Sequence, residues 1–182
     1  MDERRASPHG RASEWRPAIG TLVFVLTVPG TVVGVVPFLL SGWSFAPPFL
    51  GWPWLRGLGA ALIVCALPVF LDFVTRFARE GRGTPMPLAP TRHLVAGGSF
   101  RYVRNPGYIA VVSLLVGQGL LLGTPGILLY AAGVALVFHL FVRLYEEPTL
   151  RRQFGAQYDA YCREVPRWLP RVPRQRMTAT PE

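Results

Sequence analysis

The sequence predicts an all-α protein, an integral-membrane helical bundle of about four transmembrane helices with a C-terminal amphipathic helix. Three observations lead there. Of the 182 residues, 51% are hydrophobic and only 16% charged, and the mean hydropathy is positive at +0.31. Soluble domains rarely combine so much apolar content with so little charge. The apolar residues also fall in four runs separated by polar or Pro-Gly segments. Finally, every one of the 19 basic residues is arginine, and 18 of them lie in segments that four spans place on one side. Positive residues retained on the cytoplasmic side orient a membrane protein. The apolar majority excludes a disordered chain. It also argues against reading the net charge of +9 as a nucleic-acid-binding surface.

At this length one domain is expected, over 17–171. Residues 1–16 are polar, carry Arg4, Arg5, Arg11 and Arg16, and are expected to be a disordered cytoplasmic N-terminus. The first span, 17–40, runs for 24 residues without a charge. At about 1.5 Å per residue it covers roughly 36 Å, against a hydrocarbon core of about 30 Å. It is too long for a typical signal-peptide core and lacks a small-x-small cleavage site, so it reads as a retained anchor. Ser41 to Trp54 carries no charge, and Trp43, Trp52 and Trp54 suit the outer interface. The second span, 55–77, has an apolar core from Leu55 to Phe73 interrupted only by Arg56 and Asp72. Spans at 107–122 and 127–145 have short apolar stretches, and Gly123-Thr124-Pro125-Gly126 between them reads as the turn of a transmembrane hairpin. Both termini then lie in the cytoplasm. A lysine-free, arginine-rich chain fits a GC-rich bacterial genome, and with these spans the expected place is the bacterial inner membrane, as a multi-pass protein.

Beyond the hairpin, Leu150, Phe154, Tyr158, Tyr161 and Val165 recur at three- and four-residue spacing, which predicts an amphipathic helix over 148–165. Pro166 and Pro170 end it, Trp168 suits an interface, and 172–182 is expected to be a disordered tail. Cys65 and Cys162 have no disulfide or zinc spacing, and the three histidines lie far apart, so no metal is expected.

Chemistry concentrates in two stretches. The inner loop, 80–106, ends in an Arg/aromatic cluster before Asn105-Pro106, where proline fits a first helical turn and asparagine a cap. Arg104 and Arg101 beside the unpaired amides of that turn suit a carboxylate or phosphate. On their own, the same arginines read first as anchors to anionic headgroups. At the end of the fourth span, His139, Arg143, Glu146 and Glu147 fall on one face of a continuous helix, a candidate polar site for substrate. An ordinary Arg143–Glu147 ion pair explains that spacing too. The hairpin brings the two stretches together, Arg104 and Tyr108 beside Glu146 and Glu147, which predicts a polar pocket at the cytoplasmic lipid interface.

Gly98 to Tyr108 (GSFRYVRNPGY), LYEEPTL at 144–150 and the following FGAQYDAYCREVPRWLP resemble the C-terminal signature of isoprenylcysteine carboxyl methyltransferases. They are similar also to phospholipid methyltransferases and their bacterial relatives. The likeness covers about residues 80–171. It implies an integral-membrane methyltransferase that uses S-adenosylmethionine and acts on a lipophilic or lipid-modified acceptor. It further implies a cofactor site formed by Val95, Gly98, Tyr102, Arg104, Asn105, Pro106, Tyr108, Glu146 and Glu147. Arg104 and Glu147 are the expected catalytic residues, with His139 and Arg143 toward substrate. Asn105 stands where eukaryotic members have histidine, and an amide cannot titrate. Two other readings remain: an NADPH-dependent reductase related to sterol reductases, and a non-enzymatic membrane protein of the same fold. Glu146-Glu147-Pro148 and the short chain favour the methyltransferases.

Overall fold

The computed structural model describes residues 27–80 and 97–172, and among them every regular element is helical. We number the helices α1 (Thr27–Ser41), α2 (Trp54–Glu80), α3 (Pro106–Leu122), α4 (Pro125–Phe154) and α5 (Ala156–Glu164). Short 3₁₀ turns at Phe49–Gly51 and Gly98–Arg101 lead into α2 and toward α3. Two helices are long and apolar enough to cross a membrane, Trp54–Thr75 within α2 and Pro125–Phe154; α1 and α3 are shorter apolar helices. The start of the expected first span, most of the inner loop including Val95, and the two terminal segments lie outside the described residues.

Helices α2 and α3 run antiparallel in close contact. A Cβ on Gly59 would lie 2.6 Å from the carbonyl oxygen of Gly117, and one on Gly107 would lie 2.7 Å from the Phe73 ring. Small residues let helix backbones approach where lipid offers no hydrophobic drive between helices. The hairpin of α3 and α4 turns through Gly123, whose neighbour Thr124 donates its N–H to Gly119 O at 3.0 Å. Val111, Leu115 and Ala131 form the core between these two helices, with Phe70 of α2 and Val32 and Val33 of α1 packed against it. At the hairpin's turn, Ala46 N–H donates to the last α3 carbonyl, Leu122 O, at 2.9 Å, and Arg56 Nη2 donates to Ala46 O. The bundle thus has one end with a nearly uncharged turn and loop, and an opposite end where α2 stops and α3 begins.

Two wide turns interrupt the α-helical ladder. Thr31–Val35 and Val142–Glu146 are π-helical, and each ends two residues before a proline, Pro37 and Pro148. A proline has no N–H and crowds the carbonyl four residues back, so the ladder must open near it. The carbonyl that Pro37 leaves without its amide, Val33 O, accepts instead from Gln118 Nε2 at 3.0 Å.

These turns correct two expectations. The fourth helix does not stop at 145; Pro148 is absorbed and α4 continues to Phe154. The amphipathic helix expected over 148–165 is therefore two pieces, the end of α4 and the separate α5. The break is Gly155, at φ 52° and ψ −127°, a conformation essentially reserved for glycine.

Candidate functional site

At the end of the bundle where α3 begins, three ionic side chains meet. Arg104 precedes α3, Glu147 lies in α4 just past the π turn, and Arg167 follows α5. Arg104 Nη1 donates to Glu147 Oε1 at 3.0 Å. Arg167 holds the same carboxylate with both prongs, Nε to Oε1 at 2.6 Å and Nη2 to Oε2 at 2.8 Å. Arg104 Nη1 also lies 2.8 Å from Cys162 Sγ, while its Nε is buried without a hydrogen-bond partner. Next to this cluster Tyr108 donates its hydroxyl to Glu146 Oε2 at 3.0 Å, and its ring packs on Phe138 at 4.6 Å between centroids.

Residues 165–171 run as a strap over the mouth of the α3–α4 pair. Arg104 N–H donates to Pro166 O and Arg171 N–H to Tyr102 O, each at 2.9 Å. Asn105 Nδ2 donates to Arg167 O at 3.1 Å. Trp168 stacks on His139 and donates its indole N–H to His139 Nδ1 at 3.2 Å. Behind the strap, α5 supplies Tyr158 and Tyr161, the latter donating to Phe100 O at 2.8 Å. Burial pushes both phenols well above the ordinary tyrosine range, so they stay neutral donors. Its hydrogen bonds to Glu147 push the Arg167 guanidinium up as well. The 3₁₀ turn before α3 is tied to α2, since Ser99 Oγ donates to Asp72 Oδ2 at 2.8 Å.

Beside the ionic cluster lies a mostly apolar cavity of about 260 Å³, lined by Tyr108, Ile109, Val112, Ala135, Phe138, His139 and Trp168. Its polar groups, from Tyr108, His139 and Trp168, sit at the end of the bundle that carries the ions. Val112 and Ala135 line it one helical turn deeper.

The structure brings together Arg104, Asn105, Tyr108, Glu146 and Glu147, with buried Pro106 opening α3. It places three other expected residues differently. Arg143, in the π turn Val142–Glu146, is exposed, whereas His139 is half-buried and Glu147 buried. Tyr102 is 45% exposed and meets the strap through its backbone carbonyl. Gly98 opens the 3₁₀ turn rather than entering the cluster. Asn105 holds the cap position of α3 but makes no side-chain cap, its amide being turned to the strap. Nor does Arg101 join Arg104: it is exposed. Sequence reasoning missed Arg167, Trp168, Tyr158 and Cys162. Their signal was present in REVPRWLP, where Pro166 and Pro170 end the helix and leave an arginine and a tryptophan beyond it.

The sequence profile of a family described as phospholipid methyltransferase matches residues 54–157, more than half of the chain. The match takes in α2, α3 and α4, and with them Arg104, Tyr108, Glu146 and Glu147. No curated protein matches the chain.

Proposed function

Since the chain belongs to the phospholipid methyltransferase family, we propose that it is an S-adenosylmethionine-dependent membrane methyltransferase with a lipophilic or lipid acceptor. Family membership favours this over the reductase reading. The observation that carries the cofactor assignment is the ionic cluster. Two guanidiniums share one carboxylate, and the buried Arg104 Nε has a donor without an acceptor. A buried donor left unpaired is costly, and a ligand carboxylate would satisfy it. Glu146 engages Tyr108 through Oε2, which leaves Oε1 for an ammonium or a ribose hydroxyl.

Bound there, S-adenosylmethionine would supply a methyl group on a sulfonium for transfer to a nucleophile. Arg104 would hold the donor's carboxylate. Tyr108 would orient Glu146, and Phe138, Val112 and Ala135 would keep water from the cavity in which an acceptor would lie. Positioning of this kind is the main requirement of an in-line displacement. A carboxylate or thiolate acceptor needs no base. For an amine or phenol, Glu147, the group expected from sequence, is a poor proton acceptor, because its oxygens are engaged by two guanidiniums. Glu147 then acts by holding Arg104 and Arg167 in place.

The same reading places the protein in the bacterial inner membrane with four spans, both termini cytoplasmic and the site open to the inner leaflet. Its support is the arginine distribution, with only Arg56 of the 19 at the far end.

The test is ligand binding in detergent. S-adenosylhomocysteine should raise the thermal stability of the full chain, and NADPH should not; stabilisation by NADPH alone would overturn the reading. Arg104→Ala and Glu146→Gln should each weaken S-adenosylhomocysteine binding in protein that remains folded. Unchanged binding in both would show that the site lies elsewhere.

A further inference from the structure

We propose that Arg167, carried on the strap, is the second arm of a two-arginine clamp for the ligand's carboxylate. The inference deepens the cofactor assignment above and rests on it. Four observations lead to it.

In the cluster two guanidiniums share the Glu147 carboxylate, while Glu146 beside it is bonded to Tyr108. Side-chain exposure is 12% for Arg104 and 6% for Glu147, so this part of the cluster is largely withdrawn from water. A buried donor there is costly until an acceptor joins it. Arg167 is the most open member at 29%, so the cluster is approached from its side. Both guanidiniums retain donors beyond Glu147: Arg104 Nε has no partner, and the Nη1 group of Arg167 takes no part in its pairing. Finally, Arg167 is not a loosely held surface residue. Its backbone carbonyl is held by Asn105 Nδ2 at 3.1 Å, and the carbonyl before it by Arg104 N–H at 2.9 Å. The strap therefore sets the two guanidiniums on one support at the start of α3. A planar carboxylate is the group that two such forks recognise.

On this account Asn105 is a positioning residue. It acts on the ligand through Arg167, and neither acid–base chemistry nor direct contact is required of it.

The plainer role for Arg167 is to neutralise Glu147 and fasten the strap. The two roles differ in how they treat two ligands that share everything except the carboxylate. S-adenosylhomocysteine and its decarboxylated form, S-adenosyl-3-thiopropylamine, are titrated into the full chain in detergent at fixed salt. Wild-type protein should prefer the carboxylate-bearing ligand by roughly ten- to hundredfold, the worth of a charge-assisted pair. Arg167→Gln should weaken S-adenosylhomocysteine by about tenfold, leave the decarboxylated ligand unchanged, and so collapse the ratio. Arg167→Lys, which keeps the charge without the fork, should restore part of it. Equal loss of both ligands, or a ratio unchanged in Arg167→Gln and Arg167→Lys, would overturn the clamp and leave Arg167 a fastener. Wild-type protein that binds neither ligand would remove the cofactor assignment and the clamp together, a result distinct from either.

Discussion

Glu147 is the most buried member of the ionic cluster, and its carboxylate accepts from Arg104 once and from Arg167 twice. Removing one partner of a buried pair strands the other charge, at about 3–5 kcal/mol, whereas an exposed pair is worth less than about 1 kcal/mol. The cost should therefore follow burial. Glu147→Ala leaves two guanidiniums facing each other and should destabilise most; Arg104→Ala, with Arg167 still on Glu147, should cost less. Arg167→Ala, whose side chain is 29% exposed, should cost least. Thermal melts of the three variants in one detergent check that order, and Arg167→Ala as the least stable would refute it. That Arg104 and Tyr108 meet Glu146 and Glu147 was legible in the sequence, because a hairpin of known turn fixes which ends of its helices meet; which partner each takes was not. Nor was the exposure of Arg143, because helical spacing assigns a residue to a face without saying how much of that face is covered. Asn105 was placed correctly and given the wrong partner: a cap is a local rule, and the strap carbonyl that takes its amide lies 62 residues away.

At the scale of elements, the helices follow from their apolar runs, and their limits follow from proline and glycine. Pro106 opens α3 at its first turn and Gly155 ends α4, both by the conformations those residues favour. Pro148 is the instructive exception. A proline after two glutamates reads as the start of a new helix, yet the π turn before it lets α4 run on, which carries Glu146 and Glu147 inside one rigid rod. The contact of α2 with α3 depends on a different residue property, lack of a side chain. A Cβ on Gly117 would lie 2.8 Å from Gly59 O and 2.7 Å from Ile63 Cγ1. Gly117→Leu should thus push the helices apart and cost at least about 1–3 kcal/mol, the usual penalty of overpacking. Gly57→Leu, at a glycine with nothing within 4 Å of the added Cβ, should be tolerated. The yields of monodisperse protein after detergent extraction distinguish them; equal yields would mean that the close approach is not needed for folding.

For the whole molecule, the distribution of charge along the chain and the distribution of polar contacts in space pick out the same end. The uncharged turn at 123–126 and the loop bearing Trp43 and Trp52 lie at one end, the latter residues 60% and 52% exposed. Arg104, Glu146, Glu147 and Arg167 lie at the other. Ionisable groups are costly at membrane depth, whereas tryptophan favours the interface, so a bilayer would be met by aromatic rings at one end and by the site at the other. This orientation makes a prediction that needs no substrate. In a chain with Cys65 and Cys162 replaced, a single cysteine is introduced at Ser44 or at Arg101, both exposed. A membrane-impermeant maleimide should label the Ser44→Cys variant in intact cells and the Arg101→Cys variant only after the membrane is opened. Labelling of Arg101→Cys from outside would invert the topology and turn the site away from the cytoplasm. Labelling of both positions from one side would exclude a span between them, because α2 connects the two segments.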